Sequence, residues 1–321
     1  MAVTLAQAAV LSTNDLQRGV LEMFVQESPV LDRLPLMEVQ GNAYAYNAES
    51  TLPGIAFRNV NEAYTESTGV VVTATESLVI MGGDADVDRF LVQTRGNLND
   101  QRAVQTAMKV KAAAYRFQDA FFNNDTSAGG EAAKGFDGLK KRLTGNQVFA
   151  IGTNGAGINT DATTRDAFFD ALDNLLSRVP GINPNNGAIY MNAGLQAKVR
   201  SAGRRVGGVD IVREDMTNKR VLTWNGIPVL DPGQNLSGAD ILPQTETQGT
   251  ATGTTSSIYA VKFGQDETDR GVTGLTNGGV QVDDLGFLQS QPVYRTRIEF
   301  YCGLATFGGK AAARMTGVLN S

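Results

Sequence analysis

VQGNAYAYNAESTLPGIAFRNVNEAYTESTGVVVTATESLVIM, residues 39 to 81, decides the fold. Its first part, Val39 to Asn47, alternates small or polar residues with Tyr44 and Tyr46, and Val70 to Met81 is β-branched and aliphatic. Both satisfy the strand signal, because such side chains pack well on a pleated surface. Leu52-Pro53-Gly54 between them is a turn signal, since proline presets φ and glycine accepts the reversed φ beyond it. Phe57 and Arg58 then sit near an exposed tip. An ordinary loop within a sheet is the alternative, but structureless connections in compact domains rarely exceed about 12 to 15 residues. The pattern favours a protruding two-stranded arm. A hairpin alone is marginal in water because it cannot bury its own apolar face. A chain that spends so much length on one is built to lean on copies of itself, which points to an assembling structural protein.

A long helix follows. Asn99 or Asp100 can cap it, and from Gln101 to Phe122 there is neither Gly nor Pro, while Ala, Gln, Lys, Arg and Met supply good helix propensity. At 100° per residue Val104, Ala107, Met108, Ala114, Tyr115, Phe121 and Phe122 share one broad face, with Lys111 as the misfit inside it. Gln101, Arg102, Gln105, Lys109, Arg116 and Asp119 take the other face. At 1.5 Å per residue the helix runs about 35 Å, long enough to be the backbone of a domain. Asn123-Asn124-Asp125 and Gly129-Gly130 stop it.

Composition narrows the function. The chain has 321 residues, 42% of them hydrophobic, with no apolar run long enough to span a bilayer, so it reads as soluble and free of membrane. Its first basic residue is Arg18, so no secretion signal is expected. One cysteine, Cys302, cannot form an internal disulfide and fits a reducing compartment. The sequons at Asn124 and Asn235 are then chance matches. Histidine is absent altogether, which removes Ser-His-Asp and Cys-His catalysis and His-ligated metal sites. Neither GxxxxGK[ST] nor GxGxxG occurs; the run Gly152 to Gly157 has the wrong spacing and reads as a loop. Paired carboxylates remain as an abstract option, and nothing brings two together. The expectation is a protein that is not an enzyme and that holds no cofactor or metal.

Asp84, Asp86 and Asp88 in GGDADVDRF begin like a calcium loop, but Arg89 stands where glycine is needed and Arg95 where a glutamate should close the cage. Read as a strand, the spacing of two puts the three carboxylates on one face and Val87 on the other. Two readings stand: a solvated strand face, or a charged seam meeting arginines of an adjacent subunit.

Upstream, Ser12 or Thr13 can cap a short helix carrying Leu16, Val20, Leu21, Phe24 and Val25, ended by Ser28-Pro29 and followed by an apolar strip of Leu31, Leu34, Leu36 and Met37. It reads either as a core helix or as an arm lying across a neighbour. Beyond the long helix, the Gly/Asn-rich run 152 to 160 looks like a domain boundary. A compact α/β unit follows: a helix capped by Thr163 or Thr164 and lined by Phe168, Leu172, Leu175 and Leu176, a strand at Ala188 to Met191, and a helix from Ala193 to Ser201. Val221 to Trp224, Ile227 to Leu230 and Ile258 to Phe263 are further strands, and Leu236 to Ser257 is a surface loop. Val293 to Phe307 alternates Arg295, Arg297 and Glu299 with Tyr294, Thr296, Ile298 and Phe300, the mark of a long strand on which Cys302 is a packed residue.

The order of arm, ribbon, spine helix, α/β unit and final strand resembles the major capsid protein family of tailed bacteriophages, whose fold is named for phage Hong Kong 97. The local strings GFDGLKKRL, AIYMNAGLQAKVRSAGR, WNGIPVLDPGQ and RIEFYCGLATFGGKAAARMTG are similar to that family's packing patterns. The resemblance implies an α+β capsid fold with an N-terminal arm (1 to 38) and an E-loop with its adjoining strand (39 to 90). It further implies a peripheral domain with the spine helix (91 to 160, helix about 99 to 123), an axial domain (161 to 285) and a closing strand of the peripheral domain (286 to 321). Implied partners are further copies in hexamers and pentamers and a portal protein, with scaffolding from a separate protein or none at all because no helical extension precedes the arm, and with or without a decoration protein. The shell encloses double-stranded DNA without reading its sequence, belongs to the virion, and is assembled in the host bacterial cytoplasm. The family prototype welds an E-loop lysine to a neighbour's asparagine; here the first lysine is Lys109, so a noncovalent shell is expected.

A net charge of −5 per copy repels, but only near-contact charges act across a Debye length of about 8 Å. It also argues against tight adhesion to the enclosed phosphates, which takes a basic stripe. Arg200, Arg204 and Arg205 form the dense basic cluster and read as an interface patch. Expected assembly residues are therefore Phe57, Arg58, Asp84, Asp86, Asp88, Arg200, Arg204 and Arg205. The rival readings are an encapsulin-type nanocompartment shell of the same fold, which loads protein cargo, and, in a different class, a carboxylate-dependent hydrolase.

Overall fold

The computed structural model describes residues 3–4, 28–95, 101–206, 212–214 and 220–321. The helix expected from Ser12 or Thr13 and the cap expected at Asn99 or Asp100 lie outside these residues. What is described is α+β: a two-stranded ribbon, a five-stranded sheet, a nine-stranded sheet and a spine helix wedged against both sheets.

The ribbon pairs Ala43–Thr51 with Val70–Ser77 antiparallel. The second strand expected through Met81 breaks at Leu78, whose N–H donates to the carbonyl of Asn42. Val79–Asp88 then leaves the ribbon and pairs with Val293–Thr306. The reversal of the ribbon lies further out than Leu52-Pro53-Gly54: the N–H of Glu62 bonds the carbonyl of Asn59, with Asn61 at φ 69°. Asparagine tolerates this left-handed conformation better than most residues.

In the five-stranded sheet the order is Val3–Thr4, Pro35–Glu38, Val272–Phe287, Val293–Thr306, Val79–Asp88. Its centre is a long antiparallel hairpin of Val272–Phe287 with Val293–Thr306. The first strand of that hairpin escapes sequence reading because Gly274, Gly278, Gly279 and Gly286 interrupt its pattern. Gly274 has a steric cause: a Cβ there would come within 2.4 Å of Cδ2 of Leu36, its register partner on the adjacent strand Pro35–Glu38, so that pairing needs a bare backbone. Leu31, Leu34 and Leu36 of that strip are buried, consistent with the apolar pattern.

The nine-stranded sheet runs Val148–Ala150, Ala312–Leu319, Ala251–Lys262, Gly187–Tyr190, Ile227–Leu230, Arg220–Trp224, Val212–Glu214, with Glu246–Gln248 and Ala156–Gly157 as side additions. One reading changes here and two gain detail. Residues 251–257, expected in a loop, belong to a strand whose Thr255, Ser256 and Ser257 are buried. The run after residue 147 is tied to the final strand by parallel pairing. The closing segment divides at the Gly308-Gly309 turn, so Val293–Thr306 serves one sheet and Ala312–Leu319 the other. The helix Ala162–Ser177 is capped by Asp161, whose carboxylate accepts the Thr164 N–H at 2.7 Å, rather than by Thr163 or Thr164.

Two cores share this sheet. Because strand side chains alternate, Ala188, Tyr190, Tyr259 and Val261 face the spine helix, while Ile189, Met191, Ile258 and Ala260 face the helices Ala162–Ser177 and Ala193–Val206. The spine helix, Gln101–Asn123, buries Val110, Ala114, Phe117 and Phe121, spaced as one face. The face expected from the sequence is rotated from this by about a quarter turn. Val104 and Met108 are exposed, and Val110 and Phe117 take the core. Apolar residues run most of the way round this helix, so periodicity alone could not choose the buried side. Lys111 is exposed, its Nζ 5.5 Å from the centroid of the Tyr115 ring. No helix among the described residues is long and apolar enough to cross a membrane.

Candidate assembly interface

The ribbon is held at its root and bare at its tip. At the root, Tyr44 and Tyr46 pack on Phe307, with ring centroids 6.2 and 4.9 Å away in edge-on geometry. Tyr44 Oη donates a short hydrogen bond to Glu267, and this carboxylate, with burial, pushes the Tyr44 phenol up to about 12. Arg142 forks onto Glu76, donating from Nη1 at 2.5 Å and Nη2 at 2.8 Å, both side chains mostly covered. A two-pronged guanidinium–carboxylate pair fixes direction as well as distance, so the root sets the angle at which the ribbon leaves the globule. No local pattern announces these contacts: Tyr44 and Glu267 are 223 residues apart.

Beyond the root the ribbon leaves its own globule. Its paired part alone spans about 30 Å at 3.3 Å per residue. Ile55 is 97% and Phe57 107% exposed, and Leu52, Val60, Tyr64, Val70, Val71 and Val72 are exposed as well. Among the described residues Arg58 bonds within the tip, donating to the carbonyls of Asn59 and Glu62 at 3.4 and 3.2 Å and lying 5.3 Å over the Tyr64 ring. Phe57 and Arg58 thus stand where the sequence places them.

Asp84, Asp86 and Asp88 lie on one face of Val79–Asp88, with Ala85 and Val87 buried behind. The arginines they face belong to the same chain. Arg295 bonds Asp86 at 2.7 and 2.6 Å, and Arg297 bonds Asp84 at 2.8 and 3.1 Å. A further contact of 3.0 Å from Arg295 to Asp84 makes a ladder across the register pairs 295–86 and 297–84. Asp88 accepts the N–H of Phe90 at 2.7 Å and caps the short helix Arg89–Arg95. The carboxylates therefore stitch two strands of one subunit on a partly exposed face, with arginines of the same chain where one of the two sequence readings placed a neighbour's. The alternation at Arg295 and Arg297 was visible in the sequence; their pairing with a strand 209 to 213 residues away was not.

Hydrogen bonding by Arg297 and Arg295 holds Asp84 and Asp86 below the usual carboxylate range. A depressed folded pKa contributes stability that is present above the unfolded value, about 4, and lost as pH falls through the folded value. The thermal midpoint is expected to drop on acidification below about pH 4. In a chain carrying Asp84→Asn and Asp86→Asn together that drop shrinks, while the midpoint at pH 7 is lower than that of the parent; scanning calorimetry from pH 7 to 3 reads both.

Arg200, Arg204 and Arg205 are exposed on Ala193–Val206. Arg200 reaches Gln196 and Arg205 reaches Asn159, each at 3.4 Å, and neither is in a salt bridge among the described residues. Cys302 is buried, and burial pushes its thiol up to about 12, so it is a packed side chain. No cluster of three potential metal-ligating side chains occurs among the described residues.

These features, a globule with two shared cores and an uncovered arm, belong to a known architecture. The chain is similar over 91% of its length, and 88% of the other's, to the encapsulin of the holo-SrpI complex from Synechococcus elongatus PCC 7942, at TM-score 0.65 and 18% identity. It is similar to the capsid of the native GTA particle, at TM-score 0.62 and 15% identity over 91% and 90% of the two chains. It is also similar to a chain of Microbacterium phage Oxtober96, at TM-score 0.56 and 12% identity over 91% and 90%. No curated protein matches the chain. The fold is that of shell-forming capsid and encapsulin subunits, the Hong Kong 97 type. Residues 12–160 match the family model described as major capsid protein GP7, which bears out the resemblance to phage major capsid proteins.

Proposed function

We propose that this chain is the major capsid protein of a tailed bacteriophage, and that copies of it close into an icosahedral shell around double-stranded DNA. The observation that carries this reading is the ribbon tip, whose large apolar side chains are bare on the chain's own surface. Monomeric proteins rarely expose such a contiguous apolar patch without a partner for it. The capsid family match favours a phage shell over an encapsulin-type compartment. In this reading residues 1 to 38 form the arm, 39 to 90 the E-loop and its adjoining strand, 91 to 160 with 286 to 321 the peripheral domain, and 161 to 285 the axial domain. Hexamers and pentamers form, with a portal protein as a partner. Assembly takes place in the host bacterial cytoplasm, and the subunit performs no catalysis.

Electron microscopy of the purified chain tests the proposal. Uniform closed shells are expected; a monomer at every concentration, or shells that enclose a protein cargo and no nucleic acid, would overturn it. Because the first lysine is Lys109, the ribbon holds no amine for an isopeptide bond. Shells boiled in detergent should therefore release single chains of 34.1 kDa, and a ladder of linked oligomers would refute a noncovalent shell.

A further inference from the structure

A cleft of about 240 Å³ opens between the spine helix and the five-stranded sheet. Its floor is apolar, made by the buried Val280, Ile298 and Phe300 with Met81 beside them. Its helix wall is low, because Ala112 and Ala113 send only a methyl group into the space. A cavity of about 150 Å³ holds benzene, roughly six heavy atoms, so by proportion this cleft takes a ligand of about ten.

Two cations and one carboxylate stand on the lining, and their circumstances differ. Arg116 has Asp119 at 3.7 Å and Glu131 at 3.8 Å, so its charge is answered within the chain. Lys109 is half-buried and forms no salt bridge among the described residues. Its stem lies on the bare backbone of Gly83, where a Cβ would meet Lys109 Cε at 2.7 Å and Nζ at 3.0 Å. Gly83 and Ile298 are register partners, so the ammonium is laid over the apolar floor. Asp84, the next residue of the strand, feels that charge, but its side chain points to the other face and is forked by Arg297. A lysine stem normally covers apolar surface while its head stays in water. A head drawn into an apolar cleft, with no anion of its own, points to an anion supplied from outside.

We propose that the cleft binds a free amphiphilic monocarboxylate, its apolar body of about seven or eight carbons lying on Ile298 and Phe300 and its carboxylate accepting from Lys109 Nζ. Lys109 and Arg116 against Glu131 leave one positive charge on the lining, which matches a single carboxylate. A neutral alcohol of the same length fills the apolar part but leaves the ammonium unanswered. A dicarboxylate carries a second charge onto the apolar floor, where nothing pairs it. The site is complete within one chain, so the inference does not depend on the shell reading.

Isothermal titration calorimetry of the purified chain before assembly tests it, with octanoate, octan-1-ol and octanedioate as the probes. Octanoate should bind saturably, one molecule per chain, and the other two at least about tenfold more weakly, the scale of one charge-assisted hydrogen bond. Lys109→Gln should bring octanoate down to the level of octanol and leave octanol unchanged. Ala112→Leu, which adds bulk at a half-buried helix position, should remove binding of both. No saturable octanoate binding would overturn the proposal, and this is the result a cleft meant for a protein segment would give. Equal affinity of the parent chain for octanoate and octanol, or octanoate binding that survives Ala112→Leu, would overturn it as well. Should Ala112→Leu fail to fold, the octanoate–octanol difference in the Lys109→Gln chain decides alone, since a change in stability without a site would not move one probe and spare the other.

Discussion

Replacing residues 52 to 69 by an Asn-Gly turn that joins Thr51 directly to Val70 will leave a folded monomer and abolish shells. The junction is sound because Thr51 and Val70 are already paired in the register of the ribbon, and Asn-Gly favours the type I′ turn that matches strand twist. No hydrogen bond or ion pair described for the tip reaches the globule, so the thermal midpoint should move little, as for surface changes worth within about 0.5 kcal/mol. The effect on assembly is large. Burying one Val, Leu, Ile or Phe side chain gains about 1.5 to 3 kcal/mol, so the tip alone offers on the order of 10 kcal/mol of gross gain per contact. Association and ordering costs consume much of any such gain, which leaves no surplus once the tip is gone. Gel filtration and electron microscopy give the readout. Normal shells from the shortened chain would mean that the ribbon is ornamental and that cohesion lies elsewhere.

The second large effect belongs to a single ring. Phe122 is fully buried at the end of the spine helix, with the rings of Tyr190 and Tyr259 centred 5.2 and 5.3 Å from its own. Those tyrosines sit on adjacent strands of the nine-stranded sheet, so Phe122 joins the helix to that sheet. Phe122→Ala removes the transfer gain of the ring and leaves a cavity that two rigid aromatics cannot collapse into. A loss of about 3 to 5 kcal/mol is expected in denaturant unfolding of the unassembled chain. Met108→Ala, one residue type removed from the exposed side of the same helix, should cost little in the monomer. Equal losses at the two positions would show that the assignment of the helix's inner face is wrong.

Much of this architecture was legible because it rests on local signals. The ribbon declares itself through Tyr44, Tyr46 and the valines at 70 to 72, and the spine helix through a run without Gly or Pro. The buried stretch Ala188 to Tyr190 and the alternation at Arg295 and Arg297 are of the same kind. What stayed hidden depends on pairing across long separations. The strand Val272–Phe287 is masked by glycines, of which Gly274 finds its reason only when Leu36 pairs beside it. The polar residues Thr255, Ser256 and Ser257 read as loop, yet they are buried because partners elsewhere satisfy them: Thr255 Oγ1 donates to the carbonyl of Glu246 at 2.8 Å, and Ser256 Oγ to that of Leu242 at 3.3 Å. The spacing of Asp84 and Asp86 left a solvated face and an arginine seam both open, because sequence cannot say which strand lies beside them or whose arginines it carries. For the assembly surface, the tip was readable as a bare protrusion.

The sheet whose two faces feed two different cores has a mechanical meaning. Tyr259 and Val261 point to the spine helix while Ile258 and Ala260 point to the outer helices, so a single strand is held from both sides at once. Neither half can melt without stripping the other of a wall. The ribbon, gripped at its root by Arg142 on Glu76, runs on directly into Val79–Asp88 of the five-stranded sheet, which packs on the same spine helix. A subunit so built is expected to act as a stiff tile, and a container made of such tiles should yield along its joints before its panels tear.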